Sequence, residues 1–221
     1  MGSGSRRAPA LLGVALAVLA GVAAAPARAE DDARGRELFT LCKQCHGDAA
    51  GGNPLSLAPA IAGLPEWYAL KQLKNFHSGI RGLHFDDHAG MRMRPMTLWL
   101  GSDENIAAAA DYVSSLPPVD PPRTLKGDPA KGAALYTAIC GACHGPDGKG
   151  NEAMMSPPLI HQSDWYLVKQ IKNYKAGIRG AATADQAGAL MRPMSMTLTN
   201  DQAIEDVVAY IMTLPNQTAQ K

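Results

Sequence analysis

Residues 42–47 read CKQCHG, and residues 140–145 read CGACHG. These two stretches hold all four cysteines of the chain: Cys42 and Cys45 followed by His46, and Cys140 and Cys143 followed by His144. Two thiols three residues apart on one helical turn can both add to the vinyl groups on one edge of a haem. The next residue then brings an imidazole under the ring, where it can bind the iron; this is the c-type haem attachment pattern. Three other readings compete. A zinc site wants its CxxC pairs about 15–20 residues apart and has no need of a histidine in both. A thioredoxin-like redox pair wants a βαβ pattern, which is absent. Two disulfides would leave the histidines unexplained. The expectation is two covalently attached haem c groups.

The two motifs stand 98 residues apart, and the rest of the chain keeps the same offset. EWYALKQLKNFHSGIRG from Glu66 matches DWYLVKQIKNYKAGIRG from Asp164, and MRPM at Met93 matches MRPM at Met191. One residue must be gapped before the first cysteine, because Gly35 precedes Cys42 by seven and Gly132 precedes Cys140 by eight. A period this long is a duplicated domain rather than a solenoid unit. The Pro-rich run of residues 117–122 cannot continue a helix and divides the halves. The expected division is residues 1–29 as a signal peptide, 30–116 and 128–221 as domains, and 117–127 as a linker. A half of this size gains from a prosthetic group that fills its core.

Each half reads as helical. Leu70, Leu73 and Phe76, and their counterparts Val168, Ile171 and Tyr174, recur at helical spacing. The last helix carries Ile106, Ala110 and Val113 in one half and Ile204, Val208 and Ile211 in the other, with acids near its start and Leu-Pro at its end (residues 116–117 and 214–215). Asp128 before Pro129 is a good N-cap and first-turn pair. No convincing alternating strands are visible, so the fold class is all-α, with long Gly- and Pro-rich loops between helices.

Composition narrows the function. Residues 10–25 are apolar but short, with Arg6 and Arg7 before them and a small-x-small site at residues 27–29. This reads as a secretory signal peptide, with an uncleaved anchor as the alternative. Without residues 1–29 the chain has 18 basic and 20 acidic residues, net −2, distributed as 8 and 11 over residues 30–116 and 8 and 8 over residues 127–221. That balance lacks the basic footprint that nucleic acid demands. A periplasmic protein without a membrane span in its mature chain is expected.

Histidine supplies one axial position; the opposite face of each haem needs another. His84 and His88 fall on Ala182 and Gln186 at the repeat offset, so neither serves both halves. Residues 90–96, GMRMRPM, and 190–196, LMRPMSM, each hold three methionines. Met91 falls on Ala189 and Met196 on Leu98, which leaves Met93/Met191 and Met96/Met194.

With these motifs the chain resembles a di-haem class I cytochrome c of the two-domain cytochrome c4 type, over essentially its whole mature length. The resemblance implies a tandem of small helical folds, each wrapped around one haem. It implies Met93 and Met191 as sulfur ligands opposite His46 and His144, with Met96 and Met194 as alternatives. It also implies Pro59 and Pro157, each thirteen residues after its histidine, as the carbonyls that orient the imidazoles. The Arg-Pro after Met93 and Met191 is expected to turn the chain toward the last helix. Trp67/Trp165 and Tyr68/Tyr166 are either propionate partners or core; Arg81/Arg179 and Arg94/Arg192 are either propionate partners or solvated surface. Met154 and Met155 are either a docking surface or cover for the haem edge.

His/Met ligation fills both faces of the iron and leaves one-electron transfer as the chemistry. The expected function is a periplasmic relay from a quinol-oxidising complex or dehydrogenase to a haem–copper oxidase or terminal reductase. The alternatives are a cytochrome subunit bound to a dehydrogenase such as a flavocytochrome, and a di-haem oxidoreductase with its own substrate.

Overall fold

The structure is a computed structural model that describes residues 1–2 and 26–214, with side chains in the first helix described from residue 32 onward. Residues 3–25 of the expected leader and residues 215–221 lie outside the described residues. Among the described residues nine α-helices fall into two repeats: α1 (Pro26–His46), α2 (Glu66–His77), α3 (His88–Leu100) and α4 (Asp103–Ser115), then α5 (Pro129–Leu135), α6 (Gly141–His144), α7 (Asp164–Lys175), α8 (Gln186–Met196) and α9 (Asp201–Ile211). Among the described residues the only β features are two isolated bridges, Asn53 with Ala58 and Asn151 with Ser156. Their spacing is again 98, one in each long loop after the CxxCH motif.

The last helix of each half is the spine. In α9, Ile204, Val207 and Val208 are fully buried and Ile211 nearly so; in α4, Ile106 and Ala110 take the same places. Ser102 and Asn200 cap these helices by accepting Asn105 N–H and Ala203 N–H, as short polar side chains do at N-caps. α4 stops at Ser115, before Leu116 and Pro117, where proline cannot continue a helix.

The first helix of each half crosses the spine at a glycine. A Cβ on Gly35 would lie 2.5 Å from Ala108 O, and one on Gly132 would clash with Asp206 O. Ala108 and Asp206 are 98 apart, whereas the glycines are 97 apart. The extra residue is taken up by a π-helical turn, Tyr136–Cys140, in which Gly141 N–H reaches back five residues to Tyr136 O. A π-turn is how a helix absorbs an insertion without losing its axis. The one-residue gap in the repeat therefore leaves the glycine crossing and the cysteine pair each in place.

One expectation fails. Pro95 and Pro193 do not turn the chain toward the last helix; they lie inside α3 and α8. Both prolines are on the exposed face, where a carbonyl deprived of its helical partner can turn to water. In the first half the chain turns only at Gly101, φ 77°, a backbone conformation suited to glycine. In the second half α8 runs to Met196 and the turn follows through residues 197–200.

The linker is tied down by one buried carboxylate. Asp164 is 2% exposed and accepts Thr124 N–H at 2.5 Å, Thr124 Oγ1–H at 2.8 Å and Leu125 N–H at 2.9 Å. Asp128 caps α5 by accepting from Ala130 and Lys131.

Candidate haem sites

Two crevices run between the CxxCH turn and the third long helix of each half. The first is lined by Cys42, Cys45 and His46 together with Met93 and Met96; the second by Cys140, Cys143 and His144 together with Met191 and Met194. The residues between are apolar, with Ala69, Leu73, Phe76 and Val113 in the first and Leu167, Ile171, Val207 and Ile211 in the second.

Each histidine is held by the loop that follows it. His46 Nδ1 lies 2.8 Å from Pro59 O, and His144 Nδ1 lies 2.8 Å from Pro157 O. A carbonyl only accepts, so each Nδ1 is the protonated nitrogen and each Nε2 keeps its lone pair. His46 is 4% exposed and His144 7%. Burial holds both imidazoles below the usual histidine pKa, against a smaller opposing pull from the proline carbonyls. Both are neutral at neutral pH, the state a metal ligand requires.

The cysteines carry a second discriminating signal. Burial raises the Cys42 thiol above its ordinary value and pushes Cys140 up to about 11. A thioredoxin-like pair needs the reverse, a thiolate stabilised near neutral pH. Among the described residues there is also no cluster of three or more His, Cys, Asp or Glu side chains able to cage a metal ion.

The two methionines of each pair differ in depth. Met93 and Met191 are half-buried, whereas Met96 is 38% and Met194 40% exposed. His84 and His88 do not line the first crevice; the His84 ring stacks on exposed Phe85. Trp67 and Trp165 line neither crevice and pack edge-on against Tyr68 and Tyr166. Arg94 and Arg192 are likewise outside both linings. Met154 and Met155 line the second crevice.

Between the crevices lies a network that the repeat offset makes nearly symmetrical. Arg81 donates to Gln72 Oε1 at 2.7 Å within its own half, and to Gln170 Oε1 at 3.3 Å and the Tyr166 hydroxyl at 3.5 Å in the other. Arg179 donates to Gln170 at 2.8 Å, and across the boundary to Gln72 at 3.1 Å and Tyr68 at 3.4 Å. The two guanidiniums are 5% and 7% exposed, share neutral acceptors, and among the described residues make no ion pair with a carboxylate. Their Nε atoms are buried without a partner. Buried cations without counterions are costly, so the network fits a bound group that brings acid arms. The glutamines were not singled out by the sequence reading. Their recurrence at the 98-residue offset was the available signal, but nothing in sequence shows that Gln72 and Gln170 face each other.

The structure thus fits two haems by its apolar crevices, its neutral histidines with free Nε2 atoms and its orphaned guanidinium donors. Comparisons with known proteins agree. The cytochrome c family model matches the chain twice, over residues 33–117 and 129–215. Cytochrome c4 of Azotobacter vinelandii is 30% identical over 210 residues, covering 91% of this chain and 97% of that protein. The thiosulfate dehydrogenase electron acceptor of Stutzerimonas stutzeri is 32% identical over 179 residues, 76% of each chain. The crystal structure of reduced recombinant cytochrome c4 from Pseudomonas stutzeri superposes with a TM-score of 0.65 at 28% identity, covering 82% of this chain and 97% of that one. Duplicated domain, paired CxxCH crevices and these likenesses converge: the chain belongs to the cytochrome c family, as a di-haem electron-transfer protein of the two-domain cytochrome c4 type with haem c bound covalently through Cys42/Cys45 and Cys140/Cys143.

Proposed function

We propose that the protein relays single electrons between two partners outside the cytoplasm, entering at one domain and leaving at the other, with residues 1–29 directing its export. The observation that carries this reading is the wall common to both crevices: Tyr68, Gln72, Gln162, Tyr166 and Gln170 line the first and the second alike. Two redox sites separated by one layer of side chains suit transfer within the molecule. Each bound haem supplies one reversible one-electron couple. His46 and His144 would hold the irons through Nε2, each imidazole being kept in register by its proline carbonyl. Met93 and Met191, the deeper of each pair, would supply the sulfur ligands, and Arg81 and Arg179 would hold propionates. With both faces protein-ligated, the chain offers no open position for a substrate.

The partners follow from chemistry. The donor is a quinol-oxidising complex or a dehydrogenase, and the acceptor a haem–copper oxidase or another terminal reductase. The likeness to a thiosulfate dehydrogenase electron acceptor favours a second reading, in which the donor is a sulfur-oxidising dehydrogenase that binds this chain. Among the described residues no helix is long and apolar enough to cross a membrane.

Potentiometric titration followed by absorbance tests the site: two low-spin waves at positive potential are expected, whereas a strongly negative wave would bring back a histidine in place of methionine. Stopped-flow reduction by a purified thiosulfate dehydrogenase, set against re-oxidation by membranes containing a terminal oxidase, separates the two readings. Fast turnover with the oxidase and none with the dehydrogenase supports the respiratory relay; the reverse supports the sulfur-oxidising partner.

A further inference from the structure

We infer that Ser163, in the second half, tunes the haem of the first half through one peptide group. The inference rests on His46 as the axial ligand of that haem. Pro59 O accepts from His46 Nδ1 at 2.8 Å, and the nitrogen of the same peptide, Ala60 N, donates to Ser163 Oγ at 3.2 Å. The Pro59–Ala60 peptide is thus bonded at both ends, to the imidazole on one side and across the domain boundary on the other. His46, Ala60 and Ser163 are 4%, 2% and 3% exposed, so water does not compete for these bonds.

Ser163 is diverted from its ordinary task. It occupies the N-cap position of α7, yet its hydroxyl makes no capping bond. By contrast Asp87, Ser102, Asp128, Asp185 and Asn200 all cap their own helices through their side chains. A serine cap contributes about 1 kcal/mol, and here the hydroxyl faces the other domain instead.

The arrangement has no counterpart in the second half. At the repeat offset Ala60 becomes Pro158, which has no N–H, and Ser163 becomes Pro65, which has no hydroxyl. His144 bonds Pro157 O at the same 2.8 Å, but the Pro157–Pro158 peptide has nothing to donate.

The physical consequence is a difference between the two sites. A peptide whose N–H is engaged has a more polarised carbonyl, because hydrogen bonds in a chain strengthen one another. A stronger acceptor at Nδ1–H makes Nε2 a more basic ligand, which favours the oxidised iron and lowers the potential. Ser163 is therefore a positioning residue that lowers the first potential and leaves the second untouched. It also ties that potential to domain docking, because a partner that opens the boundary breaks the bond from Ala60 N to Ser163 Oγ.

The test uses the full-length di-haem protein with Ser163→Ala and Ser163→Thr. Redox titration is followed through haem-methyl NMR signals assigned to each half, together with the His46 Nδ1–H resonance in the reduced protein. Ser163→Ala is expected to raise the first potential only and to move the Nδ1–H signal upfield; Ser163→Thr, which keeps the hydroxyl, restores both. An unchanged first potential and Nδ1–H signal in Ser163→Ala, or equal shifts at both haems, would overturn the inference. A loss of stability with neither readout moved would mean that Ser163 only packs. Failure of the ligand reading looks different: the unmodified protein would itself lack a low-spin, histidine-ligated spectrum at the first haem.

Discussion

Met93 and Met96 lie three residues apart on α3 and both line the first crevice, so burial is what separates them. A sulfur that ligates iron must be shielded from water, and the half-buried Met93 meets that demand better than Met96 at 38% exposed. Met93→His is expected to lower the first wave by on the order of a few hundred millivolts, within the range over which axial ligands act, while Met96→Leu leaves it in place. Spectroelectrochemistry of the two variants decides; the opposite result moves the ligand to Met96. The candidate imidazoles were legible from spacing alone, because each follows directly on a cysteine pair. The choice of sulfur was not, since two methionines one helical turn apart satisfy the same repeat.

At the scale of elements, the glycine crossings and the buried aspartate are where single changes cost most. Gly35→Ala places a methyl 2.5 Å from Ala108 O and 2.6 Å from Tyr112 Cβ. Alanine would gain roughly 1 kcal/mol of helix propensity, but both contacts involve atoms of α4 that cannot rotate away. The expected net loss is about 1–3 kcal/mol, read by denaturant unfolding. Asp164→Ala strips acceptors from Thr124 and Leu125 and is expected to cost about 3 kcal/mol, since hydrogen bonds to a charged group contribute roughly 1.5–3 kcal/mol each and their loss leaves donors unpaired. Faster protease cleavage within residues 117–127 is the accompanying sign. Helices α2, α4, α7 and α9 were readable from periodicity and the start of α5 from its cap, whereas α3 and α8 were not, because Pro95 and Pro193 read as turns. The π-turn was not: a one-residue gap shows that something is inserted, but only the fixed glycine crossing on one side and the fixed cysteines on the other show where the helix must absorb it.

Across the whole molecule, the two halves meet through Arg81 and Arg179, and each guanidinium serves both sides of the boundary. Tyr68→Phe with Arg179→Gln in a double-mutant cycle is expected to show a coupling of about 0.5–3 kcal/mol, as for contacting residues in one network. Arg81→Gln is expected to lower the first potential, because a nearby cation disfavours the more positive, oxidised iron; redox titration checks the sign. Charge imposes a further expectation. Residues 30–116 carry three more acids than bases, so neutralising exposed acids there should change the electron-transfer rate with one partner at low salt, and the change should fade as ionic strength screens it. Stopped-flow rates across a salt series measure this. The chain by itself determined the duplication, the all-α class and the two covalent haems, because each rests on a local or periodic constraint: cysteine spacing, helical period and a 98-residue offset. It could not specify the common wall between the crevices or the bond from Ser163 to the Pro59–Ala60 peptide. Those pair residues about a hundred positions apart, and only the packing of one repeat against the other brings them within hydrogen-bond reach.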